Sequence, residues 1–152
     1  MREKCLNAPE TESNLEGVYN MERPKAEKLF VCEYKFAPSV AQAVGRFYAE
    51  GIPVPAEIQA IREPHLRYVH DLSKSGILWA GGPFADWTGG INIYAVDSLE
   101  EAKKAQENEP YHANGLSYDA KYSEWVLHVP LSMAAPIHKE RLEKAFRELG
   151  LL

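Results

Sequence analysis

The feature that most constrains the fold is a hydrophobic period that changes from two to about 3.6 and back, twice, between residues 29 and 129. In LFVCEYKF (29–36), Phe30, Cys32, Tyr34 and Phe36 share one face and Val31, Glu33 and Lys35 the other, which is a strand. Val40, Ala43, Val44 and Phe47 then follow helical spacing, with Ser39 placed to cap the helix and Gly51 to stop it. Pro53 and Pro55 make IPVP extended or a turn. Leu66, Val69 and Leu72 form a second helical stripe that ends at Gly76. Its start has two readings: a helix from about residue 57 that kinks at Pro64, or a fresh helix with Pro64 in its first position. ILWAGGPF is apolar on both faces, as expected for an interior strand, and Gly81-Gly82-Pro83 ends its ladder. INIYAV is a third strand. Ser98-Leu99-Glu100-Glu101 is a capping box for a helix with Leu99, Ala102 and Ala105 inward, until Pro110 ends or bends it. In YDAKYSEWVLHV, Trp125, Leu127 and Val129 alternate with Tyr122, Glu124, Val126 and His128 in a last strand that Pro130 closes. Leu142, Ala145, Phe146 and Leu149 give an amphipathic helix at the C-terminus.

The order β-(α)-α-β-β-α-β plus a terminal helix predicts an α+β, ferredoxin-like split βαβ fold, a four-stranded antiparallel sheet with helices on one face. The bare face of such a sheet needs cover, and a second copy of the chain supplies it, so a homodimer is expected. Residues 1–27, polar and broken by Pro9 and Pro24, read as a flexible arm. Residues 28–130 form the domain, and 131–152 a helical extension.

Composition narrows the function classes. The 152 residues are 45% hydrophobic and 26% charged, ordinary for a globular chain of one domain. A net charge of -5 argues against a nucleic-acid surface, which needs clustered Lys and Arg. No run of about 18 apolar residues spans a membrane, and the polar N-terminus lacks the apolar core of a secretory signal. A cytoplasmic location is expected. Cys5 and Cys32 lack zinc-site spacing. No metal and no cofactor is expected. No phosphate-cradling loop or nucleophile elbow occurs.

The segment HLRYVHDLSKSGILWAGGPFADW (65–87) carries the catalytic candidates. A helix, a glycine stop, a strand and a tight turn can bring His65 and Asp86 together as an acid/base pair. With Pro64 in the first helical position, the positive end of the helix dipole disfavours imidazolium at His65 and leaves a base ready. If the helix runs through Pro64, that argument fails and the pairing survives. Asp86 would fix the imidazole tautomer, although Asp in such a turn also commonly bonds local amides. Trp87 and Tyr94 are candidate walls of an aromatic-accepting pocket, and Tyr111 with His112 can reach it from the second helix's end. Trp79 and Trp125 read better as core or dimer interface. His65 and His70 do not share a helical face, so a two-histidine metal clamp is not expected.

The stretch HLRYVHDLSKSGILWAGGPFADWTGGINIYAVDSLEEAKKAQENEPYHANGL resembles the YCII-related family of small dimeric α+β barrel proteins. The likeness rests on the His-Leu helix opening, the Gly76 stop, Gly-Pro followed by Asp86, and Gly-Gly before the third strand. Ser-Leu-Glu-Glu-Ala and Glu-Pro-Tyr, in the place of that family's Asp-Pro-Phe, complete it. The resemblance implies a ferredoxin-like dimer with a His–Asp site at His65 and Asp86. It also implies a small cofactor-independent enzyme, a lyase or isomerase moving a proton on a small cyclic or aromatic-derived substrate. A non-catalytic ligand-binding or accessory dimer and a cofactor-free oxygenase are the alternatives. The extra helix in 37–62 and the C-terminal helix depart from the family's compact form.

Overall fold

The structure, a computed structural model, describes residues 28–126 and 139–151. Strands β1 (Leu29–Phe36), β2 (Leu78–Pro83), β3 (Gly89–Ala95) and β4 (Ser117–Trp125) form one sheet in the order β2-β3-β1-β4. Every pairing is antiparallel. Helices α1 (Pro38–Glu50) and α2 (Ala56–Lys74) join β1 to β2; α3 (Leu99–Glu107) and the short α4 (Pro110–Ala113) join β3 to β4. Helix α5 (Lys139–Glu148) comes last. This is the ferredoxin-like α+β arrangement that the changing period predicts. The arm over 1–27 and the stretch 127–138, with the end of the proposed last strand, lie outside the described residues.

The alternation in β1 holds: Phe30, Cys32 and Tyr34 are buried with Leu78, Tyr94, Val96 and Ala102 in the main core, while Glu33 and Lys35 are exposed. Burial also pushes the Cys32 thiol up to about 12, a packing cysteine and not a nucleophile. On the opposite face Trp79 and Trp125, one from each edge strand, lean inward until their ring centroids are 6.3 Å apart. That contact explains a wrong expectation. ILWAGGPF contains an edge strand, paired with β3 alone, and its apolar outer face is Trp79, which meets Trp125. Gly81, Gly82 and Pro83 remain in the ladder, opposite Asn92, Ile91 and Gly90.

One helix start differs from the sequence reading, and one of the two readings of α2 holds. Helix α1 begins at Pro38, with Ala37 in the capping position and no side-chain cap, so Ser39 is already inside the first turn. Proline supplies the pre-set φ and its missing N–H costs nothing there. Helix α2 runs unbroken through Pro64. Pro64 and Ala60, whose carbonyl loses its partner, both lie on the exposed side, where water can take the bond. Gly51 and Gly76 do end their helices with positive φ, 70° and 78°. Leu66 of α2 packs against Ala145 and Phe146 of α5.

The capping box forms: Ser98 Oγ accepts from the Glu101 N–H at 3.2 Å, and Glu101 accepts from the Asp97 N–H at 2.9 Å. Ser98→Ala is expected to cost about 1 kcal/mol, read as a lower midpoint in urea unfolding. Among the described residues no helix is long and apolar enough to cross a membrane.

Candidate functional site

His65 stands in the middle of α2, on the side facing the short helix α4. Its Nδ1 meets Glu109 Oε1 at 2.5 Å. Glu109 is the capping residue of α4: its carboxylate accepts from the Tyr111 N–H at 3.0 Å and the His112 N–H at 3.2 Å. Pro110 between them has no N–H to satisfy, so the two free amides of the first turn converge on one carboxylate. The His65 ring also stacks on Tyr111, with centroids 4.2 Å apart and planes 18° from parallel. The imidazole is therefore fixed both in its plane and about its axis. Its side chain is 22% exposed against 5% for Glu109, so the histidine is the accessible member of the pair.

Burial, the largest single influence, acts to raise the Glu109 carboxyl. The His65 bond and charge and the two amides together outweigh it and hold the group below its ordinary value of 4.5. Glu109 is then a carboxylate at neutral pH and accepts a hydrogen bond from His65 Nδ1–H. In the neutral imidazole the lone pair falls on Nε2, the nitrogen free to act as a base.

The expected partner, Asp86, is engaged elsewhere. Its Oδ1 accepts from Thr88 Oγ1 at 2.7 Å and from the Thr88 N–H at 3.0 Å, and the residue is exposed. The Thr88 side-chain bond, then its backbone bond, lower the carboxyl from its usual range. Aspartate two residues before a threonine satisfies its own turn, which is the local reading of that sequence. The imidazole nitrogen assigned to Asp86 is held by Glu109, a residue 44 positions along the chain. The dipole argument also lapses, since α2 starts at Ala56.

Trp87 keeps a place near the site. Its ring stacks on Tyr48 of α1 at 5.2 Å and 9°, and it joins Val40, Val44, Tyr111 and Leu116 in one apolar cluster. A Cβ at Gly45 would sit 3.1 Å from Trp87 Cδ1, so the helix passes close under the indole. Gly45→Val is expected to displace Trp87 and destabilise the protein by about 1–3 kcal/mol, with a red shift in tryptophan emission. Unchanged emission would mean that the indole has room to spare.

Tyr94 is buried, and its hydroxyl donates to Gln106 Oε1 at 2.7 Å in a network with Asn92, so it belongs to the core beneath the site. His112 approaches Ser117 Oγ at 3.3 Å through Nδ1. His70 packs edge-on against Phe146, away from His65. Among the described residues no three His, Cys, Asp or Glu side chains gather as a metal site. Cavities of 330 Å³ (between α2 and α3, with Tyr68 and Lys104) and 270 Å³ (beside α1, with Ser39 and Ile58) do not touch His65. Arg62, one turn before His65 on α2, is also buried, which the sequence reading did not single out.

The family model of the YCII-related domain matches residues 29–126. The chain belongs to the YCII-related family. The matched span begins with β1 and ends one residue after β4, so α5 lies beyond the YCII-related domain, and α1 lies within it. Among solved structures the chain is similar to a 5-chloro-2-hydroxyhydroquinone dehydrochlorinase from Burkholderia phenoliruptrix in complex with 2,5-dihydroxybenzoquinone. The identity is 24%, over 64% of this chain and 93% of that one, with a TM-score of 0.45. No curated protein matches this YCII-related chain significantly.

Proposed function

We propose that this chain is a small cofactor-independent enzyme in which His65 moves a proton on a small cyclic or aromatic-derived substrate. The observation that carries the reading is the 2.5 Å contact of His65 Nδ1 with a buried, amide-fixed carboxylate, which leaves Nε2 as the accessible base. Nε2 takes a proton from a ring carbon, and the C–H electron pair becomes a new double bond. In an elimination a leaving group departs with its own electron pair. In an isomerisation the proton returns from Nε2 to another carbon. Glu109 stabilises the imidazolium between the two steps, as the carboxylate does in other His–carboxylate pairs. Asp86, on the turn that carries Trp87, offers its second carboxylate oxygen to the substrate and not to His65. Trp87, Tyr111 and Tyr48 supply apolar faces for a ring. Tyr94 and His112 back that wall from the core side.

Deuterium uptake from heavy water tests this, because it reports proton transfer even where no net product forms. A panel of cyclic ketones, lactones and halogenated hydroquinones would be incubated with the wild type, His65→Ala, Glu109→Gln and Asp86→Asn. Uptake by the wild type and none by His65→Ala is expected. Undiminished uptake or turnover in His65→Ala on a substrate of the wild type overturns the reading.

The half-buried apolar sheet face opposite the main core, with Val31, Ile91, Ile93, Trp79 and Trp125, supports a homodimer in which two such faces meet. Sedimentation at micromolar concentration is expected to give twice the chain mass, and Trp125→Glu to give the monomer.

A further inference from the structure

Arg62 is 5% exposed, yet among the described residues its guanidinium makes no ion pair. Its contacts are weak ones: a 3.4 Å hydrogen bond from Nη2 to Tyr48 Oη, and the ring faces of Phe47 at 4.7 Å and Tyr48 at 5.9 Å. A guanidinium has five N–H donors in a planar fork. Withdrawing such a cation from water is costly unless an anion and further hydrogen bonds compensate. Aromatic faces recover only part of that cost.

The position of Arg62 suggests the missing anion. Residues three apart on a helix share a side, so Arg62 and His65 look the same way from α2. Tyr111 lies between them: it stacks on His65 and feels the charge of Arg62 at its hydroxyl. Tyr48 links the group to Trp87 by their stack. One cation with unused donors therefore stands a single helical turn from the imidazole, among ring-sized aromatic surfaces.

We infer that Arg62 anchors a carboxylate on the substrate, so that the site takes small planar ring acids. The inference rests on the reading above for the location of the pocket and extends it to the substrate's charge. The carboxylate replaces Tyr48 Oη as the partner of the guanidinium and receives two parallel N–H bonds, the geometry that an arginine fork provides and a lysine does not. Its ring lies along Tyr48 and Tyr111, which brings a ring carbon toward His65 Nε2. Phe47 and Tyr48 belong to α1, so this chain's choice of an acid is made jointly by α1 and α2.

The probes are benzoate and its neutral isostere benzamide, titrated into the full-length protein and followed by tryptophan emission and melting temperature. Benzoate is expected to bind at least tenfold more tightly than benzamide and to change the emission of Trp87. In Arg62→Met, which keeps an apolar stem, the preference is expected to vanish with the circular dichroism unchanged. Arg62→Lys, which keeps the charge and loses the fork, is expected to fall between. If Arg62→Met does not fold, the comparison of the two probes on the wild type and on Arg62→Lys decides alone. An equal response to both probes, including no response to either, overturns the inference, as does a benzoate preference that survives in Arg62→Met. His65→Ala is expected to keep the preference for benzoate over benzamide. Loss of the catalytic reading thus shows as absent proton transfer with the acid preference intact, and loss of this inference shows as the reverse.

Discussion

His65→Ala is expected to lower kcat by about 10²–10⁴-fold, the usual contribution of a positioned general base, with little change in KM. The reason is specific to the geometry. Nδ1 is held by Glu109, which leaves Nε2 as the base of the proposed mechanism, so removal of the ring takes away that base while the Tyr48–Trp87 stack does not depend on it. Glu109→Gln is a sharper test of the mechanism. An amide in that position no longer compels the proton to stay on Nδ1, so both tautomers compete and the imidazolium loses its counter-charge. A loss of roughly 10²-fold or more in kcat is expected, because wrong-tautomer substitutions of this kind are severe. Equal kcat in Glu109→Gln and wild type, on a substrate that needs His65, would show that the pair only positions the helix. Asp86→Asn is expected to act mainly on KM, because the Asp86 carboxylate bonds Thr88 and not His65, and in the proposed site only its second oxygen is left for the substrate.

The largest expected loss of stability comes from Glu109→Ala. It leaves the Tyr111 and His112 N–H groups without their acceptor and His65 without its partner, at a position 4% exposed. Breaking a buried, hydrogen-bonded charge pair from one side typically costs about 3–5 kcal/mol. Because His65 is partly open to water, about 3 kcal/mol is expected here, read as a lower urea midpoint at unchanged slope. The effect depends on pH in a defined direction. The folded-state carboxyl lies below its ordinary 4.5, so its stabilisation is fully present above pH 4.5 and is lost as pH falls through the folded value. The gap between wild type and Glu109→Gln should therefore narrow in acid.

The strands, the helix stripes and the glycine stops were legible because each is written in neighbours two to eight residues apart. Phe30, Cys32 and Tyr34 alternate in the structure as they do on the page. Most of the errors share one cause, contacts between distant segments. ILWAGGPF read as interior because nothing local says that Trp125 covers Trp79. His65 was legible as a candidate site residue, but its partner in the structure was not. Asp86 was favoured because it follows in the next turn, whereas Glu109 reaches His65 across α2 and α4. A signal was present: Glu-Pro-Tyr places a carboxylate immediately before a proline suited to a first helical position, which marks a helix start and an acid cap. Reading Pro110 only as the end of the preceding helix concealed it. Arg62 was hidden for the same reason, since burial of an arginine is decided by Phe47 and Tyr48 on another helix.

The backbone of Trp87 has φ of 61°, a left-handed conformation that a bulky residue adopts only when its surroundings enforce it. Such a residue stores about 1–3 kcal/mol. The stack on Tyr48 is what the indole gains in return. The turn that carries Asp86 and the helix that carries Tyr48 are thus thermodynamically linked: whatever loosens α1 releases the turn, and whatever relaxes the turn frees α1. A substitution in α1 that displaces Tyr48 is therefore expected to be felt at the turn that carries Asp86.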